Sequence, residues 1–349
     1  MSTHRFGIVG CGVIGPFHAD AIKEAKGELV AVCDIVKERA DKMAAENGCK
    51  AYYDYAEMLK DDSIEIIEVC TPSGMHAQMG IQAAEAGKHV TVEKPIDINL
   101  NAADALIAAC KKANVKLQVI SQKRFDTGAI AIKDAIESGR FGKLLFCDTD
   151  VKWYRTQGYY EEGDAWRGTL AMDGGGALIN QSVHNIDLYR WFGGPIDSIQ
   201  AYTATVAHQI EGEDMGAAIV KFKNGAVGTI MGSTAIWPGL NERLCVHGEK
   251  GLAVLAGSKV TEWKFADGEE EPPVDNQRAS HAQGTTSIDP RALGIGGHAQ
   301  QMLGMMLAIE NDTDTPVTGQ DARNALEVVR GIYLAAKTGR EVKFPIVEA

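Results

Sequence analysis

At 349 residues the chain has room for about two domains of ~150 residues each. Its 47 acidic residues outnumber 35 basic ones, and the formal net charge of -12 repels phosphate backbones, which argues against a nucleic-acid partner. With 45% hydrophobic and 23% charged residues the composition suits a folded protein with a sizeable core; no apolar run approaches the ~20 residues that span a bilayer, so no membrane partner is expected.

Up to residue 120, strand and helix patterns alternate. Residues 5–10 form a short apolar strand, followed by a glycine-rich turn and a helix that stops at Gly27. Residues 28–33 are a second strand ending at Asp34, and a helix over 37–47 stops at Gly48, a C-cap position. Residues 64–70 are a third strand, and Thr71-Pro72-Ser73 leads into a helix over 76–86. A strand over 89–93 is broken by Lys94-Pro95, and an alanine-rich helix over 101–113 feeds a strand over 115–120. This alternation implies βαβ units, hence a doubly wound parallel sheet in an N-terminal domain of residues 1–122.

After Gln122 the pattern changes. Residues 144–154, 198–210, 217–223 and 226–235 are longer alternating strands, the last two joined by Asn224-Gly225, a strong hairpin signal. Residues 123–349 are therefore expected to form an α+β domain with a mostly antiparallel sheet. Residues 267–290 have almost no apolar content and read as a long surface loop. Helices over 297–311 and 320–338 and a short strand over 342–344 close the chain. Residues 1–6 lack a basic stretch followed by an apolar one, so no export signal is expected. The seven cysteines are odd in number and scattered, which reads as reduced thiols in a cytoplasmic protein.

Gly10-Cys11-Gly12-Val13-Ile14-Gly15 is a G-x-G-x-x-G that follows a strand and opens a helix, with Asp34 at the end of the next strand. The first glycine permits the tight turn and the second lets backbone approach a pyrophosphate. The third lets the helix pack on the strand, while the helix N-terminus attracts phosphate charge. Asp34 can accept from both ribose hydroxyls and would repel a 2′-phosphate, so NAD is preferred over NADP, although Lys37 and Arg39 leave some NADP tolerance open. Glu93-Lys94-Pro95 stands at the carboxyl end of a sheet strand, where doubly wound folds bind ligands. Lys94 there can hydrogen-bond a substrate oxygen and stabilise alkoxide character; a solvated lysine is the competing reading.

A second constellation runs from Asp173 through three glycines into a helix. Asn180, His184 and Asp187 are spaced to share one face, and an amide beside an imidazole suits hydroxyl recognition with proton transfer. A buried, satisfied histidine is the alternative. Metal binding is not expected, because His184 has no Cys or second His at ligand spacing. Trp153, Arg155, Tyr159, Tyr160, Trp166 and Arg167 precede this helix. They read either as a carbohydrate wall, with Arg155, Tyr160, Trp166 and Arg167 favoured, or as an interface. Gln122 and Arg124 sit at the domain junction, where a cofactor or substrate contact competes with a structural ion pair. His76 is a candidate beside the nicotinamide, and His298 a candidate for reaching substrate.

The glycine fingerprint, Thr71-Pro72 followed by His76, the Glu93-Lys94-Pro95 strand end and the glycine-rich helix with His184 together resemble the glucose–fructose oxidoreductase / inositol dehydrogenase / rhizopine catabolism (Gfo/Idh/MocA) family across the whole chain. The resemblance implies a Rossmann domain plus a C-terminal domain with a large open antiparallel sheet whose face forms oligomer contacts, in a homodimer or homotetramer. It implies NAD-dependent oxidation of a sugar or cyclitol hydroxyl, with Lys94 and His184 as the catalytic pair and Thr71, Pro72, His76, Glu93, Lys94 and Gln122 near the cofactor. Many members carry an aspartate four residues before the histidine, where this chain has Asn180. The Gly-Gly-Gly…Asn-Gln…His form is similar to the branch of glycoside, pyranose and nucleotide-sugar dehydrogenases. The expected function is reversible oxidation of a secondary ring hydroxyl to a ketone. The alternatives are an NAD-recycling enzyme (ketone-assisted elimination, epimerisation or sugar–sugar hydride exchange) and a non-catalytic NAD- or sugar-sensing protein.

Overall fold

The computed structural model describes residues 3–268, 271–274 and 294–347. Its strands are β1 (Arg5–Val9), β2 (Glu28–Cys33), β3 (Lys50–Tyr52), β4 (Ile66–Val69), β5 (His89–Val92), β6 (Leu117–Val119), β7 (Leu144–Lys152), β8 (Ile196–Ala204), β9 (Met215–Phe222), β10 (Val227–Ser233), β11 (Arg243–Gly248), β12 (Gly251–Ala256), β13 (Lys259–Phe265) and β14 (Val342–Lys343). The helices are α1 (Gly15–Glu24), α2 (Lys37–Asn47), α3 (Tyr55–Leu59), α4 (His76–Glu85), α5 (Leu100–Ala113), α6 (Thr127–Glu137), α7 (Gln157–Glu161), α8 (Val183–Gly193), α9 (Gly296–Asn311) and α10 (Gly319–Thr338).

Strands β1 to β6 form a parallel sheet in the order β3-β2-β1-β4-β5-β6. The order reverses beside β1, so the carboxyl ends of β1 and β4 open the crevice where such sheets bind ligands. The other strands form an eight-stranded sheet, β13-β12-β11-β7-β10-β9-β8-β14, antiparallel except where β7 pairs with β10. Along β9, side chains alternate between buried and exposed, so there one face of the sheet is core and the other is open. The strand expected over 198–210 stops at Ala204, because the Asp214 carboxylate accepts the N–H groups of Val206, Ala207 and His208 and turns the chain.

The chain divides into two compact units, Met1–Gln122 with Ile295–Arg323, and Lys123–Gly294 with Asn324–Ala349. Residues 295–323 thus pack with the first unit, whereas the sequence placed all of 123–349 in the second. The cause is hydrophobic: Ala299, Met302, Met305 and Met306 of α9 are buried in the same core as Phe6, Ile8, Ile22 and Leu29. Each buried Met contributes about 1.5–3 kcal/mol, more than a surface helix could recover elsewhere. Gln301 adds register: its amide donates to Val119 O (3.0 Å) and accepts from Ser121 N–H (2.8 Å).

Most of the loop expected over 267–290 lies outside the described residues. All seven cysteines are free thiols, six of them buried. Among the described residues no helix is long and apolar enough to cross a membrane.

Candidate functional site

In the first unit, β1 runs into the glycine turn and α1. Gly10 has φ of 97°, and a Cβ there would stand 2.5 Å from the Cys70 carbonyl oxygen, so only glycine fits. A Cβ on Gly12, by contrast, would meet nothing within 4 Å, which leaves the backbone open to approach by a ligand. Asp34 braces the turn, its two carboxylate oxygens accepting Cys11 N–H (2.9 Å) and Val36 N–H (2.8 Å). Each oxygen retains a second lone-pair direction. Val13 is exposed at the tip and Ile14 is half-buried.

His76 lies between the exits of β4 and β5. Its Nδ1 lies 2.7 Å from Pro95 O and its Nε2 2.8 Å from Thr71 O. The ring is 1% exposed, and burial pulls its pKa down. His76 is thus wedged between the Thr71-Pro72 and Lys94-Pro95 turns; a neutral imidazole has one N–H and donates to one of the two carbonyls. Glu93 is buried, accepting the Lys94 N–H on Oε2 (2.9 Å) and contacting His18 Nε2 with Oε1 (2.9 Å). Lys94 is half-buried and its peptide bond to Pro95 is cis. Gln122 is half-buried, its Cβ and carbonyl abutting Gly297. His298 is 1% exposed within the first unit, with Nε2 3.5 Å from Glu93 Oε1.

In the second unit the glycine run leads into a π-helical turn, Ala177–Ser182, continuous with α8. Such turns widen a helix and recur at functional sites. Glu213 anchors it: Oε2 accepts Gly176 N–H (3.0 Å), and Oε1 accepts Leu178 N–H (2.7 Å) and the Tyr333 hydroxyl (3.1 Å). A Cβ on Gly176 would stand 2.0 Å from Glu213 O, so the approach requires glycine. Burial pushes the Glu213 carboxyl up to about 7 despite these donors.

Asn180 donates to Asp173 Oδ1 (2.7 Å) and accepts from Gln181 Nε2 (2.9 Å), which also donates to the Tyr159 hydroxyl (2.7 Å). His184 is half-buried on the first turn of α8. Asp187 was expected on the same face, but it is buried against Arg124, which donates from Nε (2.7 Å) and Nη2 (2.6 Å). Arg124 thus forms the ion pair that competed with a substrate contact in the sequence. Beside it Lys123 binds Asn185 Oδ1 (2.9 Å) and pairs with Glu242, which also accepts Trp153 Nε1 (3.2 Å).

The aromatic loop is assembled around Tyr159, a residue the sequence did not favour. The Arg167 and Arg155 guanidiniums lie over its ring at 4.7 and 5.4 Å, and Arg167 also lies over half-buried Trp166 at 5.5 Å. Arg155 is 2% exposed and reaches Gln181 Oε1 (3.4 Å). Tyr160 points away, buried with its hydroxyl on Thr234 Oγ1 (2.7 Å). The Tyr-Tyr pair gave no means of choosing between neighbours.

Residues 4–121 match the oxidoreductase family with NAD-binding Rossmann fold, and residues 129–254 match the GFO/IDH/MocA C-terminal domain. The chain belongs to the Gfo/Idh/MocA oxidoreductase family. Among its relatives is a myo-inositol 2-dehydrogenase of Thermotoga maritima, 29% identical over 71% of this chain and 73% of that one. An inositol 2-dehydrogenase of Rhizobium meliloti is 26% identical over 97% of this chain and 99% of its own. Among solved structures, the WlbA dehydrogenase of Bordetella pertussis, in complex with NADH and UDP-GlcNAcA, has a TM-score of 0.87 and 32% identity over 99% of this chain and 100% of that one. The family's cofactor is NAD, and the first unit fits it, with open space at Gly12 and a carboxylate at Asp34.

Proposed function

We propose that this family member is an NAD-dependent dehydrogenase that oxidises a secondary ring hydroxyl of a sugar, glycoside or cyclitol to a ketone. The observation that carries the reading is Lys94 at the exit of β5, its backbone fixed by Glu93 and its turn flanked by His76, in the same unit as the dinucleotide turn. NAD, when bound, supplies the hydride acceptor. His184 takes the hydroxyl proton, and the Lys94 ammonium holds the oxygen as it gains alkoxide character. Asn180, its amide oriented by Asp173 and Gln181, fixes an adjacent hydroxyl. Thr71, Pro72 and Gln122 border the cofactor, and Asp34 takes the ribose hydroxyls in preference to a 2′-phosphate. Arg155, Trp166 and Arg167, set around Tyr159, form the wall for the rest of the sugar, with Tyr160 supporting it from behind. The relative bound to UDP-GlcNAcA makes nucleotide sugars the first class to assay. The enzyme is proposed to work in the cytoplasm as a homodimer or homotetramer.

Replacing Lys94→Met removes the ammonium while retaining length. Turnover, read as reduced-nicotinamide absorbance on a panel of nucleotide sugars, glycosides, free sugars and inositols, is expected to fall at least ~1,000-fold. NAD affinity, measured by fluorescence titration, stays within about two-fold. Full activity in the variant would remove Lys94 from the chemistry.

A further inference from the structure

Four buried side chains from four elements of the first unit meet behind the Lys94 turn: His18 from α1, Glu68 from β4, Glu93 from the end of β5 and His298 from α9. Both nitrogens of His18 are engaged, Nδ1 at 3.0 Å from Glu68 Oε2 and Nε2 at 2.9 Å from Glu93 Oε1. A neutral imidazole has one N–H, so satisfying both carboxylates requires an imidazolium. Burial pulls the His18 pKa down, but Cys70 and the two glutamates outweigh it and hold it well above the usual value. Burial likewise pushes Glu93 up, and the two histidines hold it well below the ordinary range. The His298 ring lies 5.4 Å from that of His18, and neither of its nitrogens has a hydrogen-bond partner among the described residues. Cys70 and Glu68, from the β4 strand and its exit, and His76 from α4 also act on this pair, and Asp97, beyond the β5 turn, acts on His76.

Apolar side chains of the same volume would pack this space at no electrostatic cost, so a buried charged cluster needs a reason beyond stability. Its position supplies one. His18 stands on the helix that the dinucleotide turn opens, and Glu93 Oε2 holds the backbone N–H of Lys94.

We propose that Glu93 is a positioning residue for the reaction, tied through His18 to the dinucleotide helix and backed by His298, so that it places Lys94 relative to the cofactor turn and sets the charge behind it. The inference rests on the reading of Lys94 as the catalytic lysine. The Glu93 carboxylate, one residue from Lys94 and bound to its N–H, favours the protonated form of Lys94.

The test is the pH profile of kcat in the holoenzyme. Glu93→Gln keeps an acceptor for the Lys94 N–H but removes the charge. Its kcat is expected to fall about 10- to 100-fold, with KM for NAD within about two-fold and the alkaline limb moved to lower pH. Glu93→Asp restores the charge and should return the limb toward its original position. A folded Glu93→Gln enzyme with wild-type kcat and profile overturns the proposal. Should Glu93→Gln not fold, Glu68→Gln carries the test, with a smaller shift in the same direction, and an unmoved limb overturns the proposal. Lys94→Met assayed in parallel separates the two failures: an active Lys94→Met fells the reading of Lys94, and an inactive one beside a normal Glu93→Gln fells only this inference. His18, Glu93 and His298 also have metal-ligand spacing, their donor atoms lying within 4.8 Å of one another. Stoichiometric zinc in the purified enzyme, with activity lost to a chelator and restored by zinc, would make the cluster a metal centre and overturn the positioning role.

Discussion

The Arg124–Asp187 pair joins two side chains each less than a tenth exposed, through two short charge-assisted hydrogen bonds. Removing one member breaks a buried charge pair, at a cost of about 3–5 kcal/mol. Arg124→Ala is therefore expected to lower the urea unfolding free energy by that amount, while KM for the sugar stays within about two-fold in the protein that remains folded. A raised KM with unchanged stability would return Arg124 to the substrate site. The same pair shows what a sequence withholds. Asp34 was legible because its partners, the glycine turn and the strand end, are local and patterned. The partners of Arg124, Lys123 and Glu93 come from distant elements, and nothing in the types or spacing of these residues distinguishes a buried ion pair from a ligand contact.

The glycine run before Ala177, the π-helical turn and α8 act as one element, pinned at its start by Glu213. The ordinary carboxyl value of 4.5 is raised in this site to about 7, so between those values the folded chain keeps a proton that the unfolded chain has released. Stability must then fall as pH rises through that window and level off above it. Urea unfolding at pH 5 and pH 8 should show the wild type losing about 2–3 kcal/mol more than Glu213→Gln, in which nothing titrates. Equal losses would mean that Glu213 is already ionised at pH 5. The helix itself was legible from its glycines and its closing Gly193-Gly194, but the π turn was not, because its anchor lies over thirty residues downstream. Strands β11 to β13 went unassigned for another reason. The buried residues of β11 and β12 come in runs and do not alternate, so the period of two that marks a half-exposed strand is missing.

Around β8, β9 and β10 the eight-stranded sheet leaves one face open, carrying Tyr202 (85% exposed), Ile219 (63%) and Val227 (42%). Apolar side chains gathered on one sheet face mark an association surface. If this face joins two copies, Tyr202→Asp with Ile219→Asp should convert the oligomer to monomer in light scattering, with the far-ultraviolet spectrum unchanged. An unaltered mass would place the interface elsewhere. The threading of the chain has a consequence of its own. It leaves the first unit at residue 122 and re-enters it only at 295, where α9 brings the methionines that complete the first core. A ribosome adding ~5–20 residues per second spends roughly ten to thirty seconds on the intervening stretch. Throughout that interval the nascent first unit shows the bare apolar surface that α9 will cover. The cofactor-binding half, although made first, is finished late, and a chaperone that shields nascent chains has its longest task there.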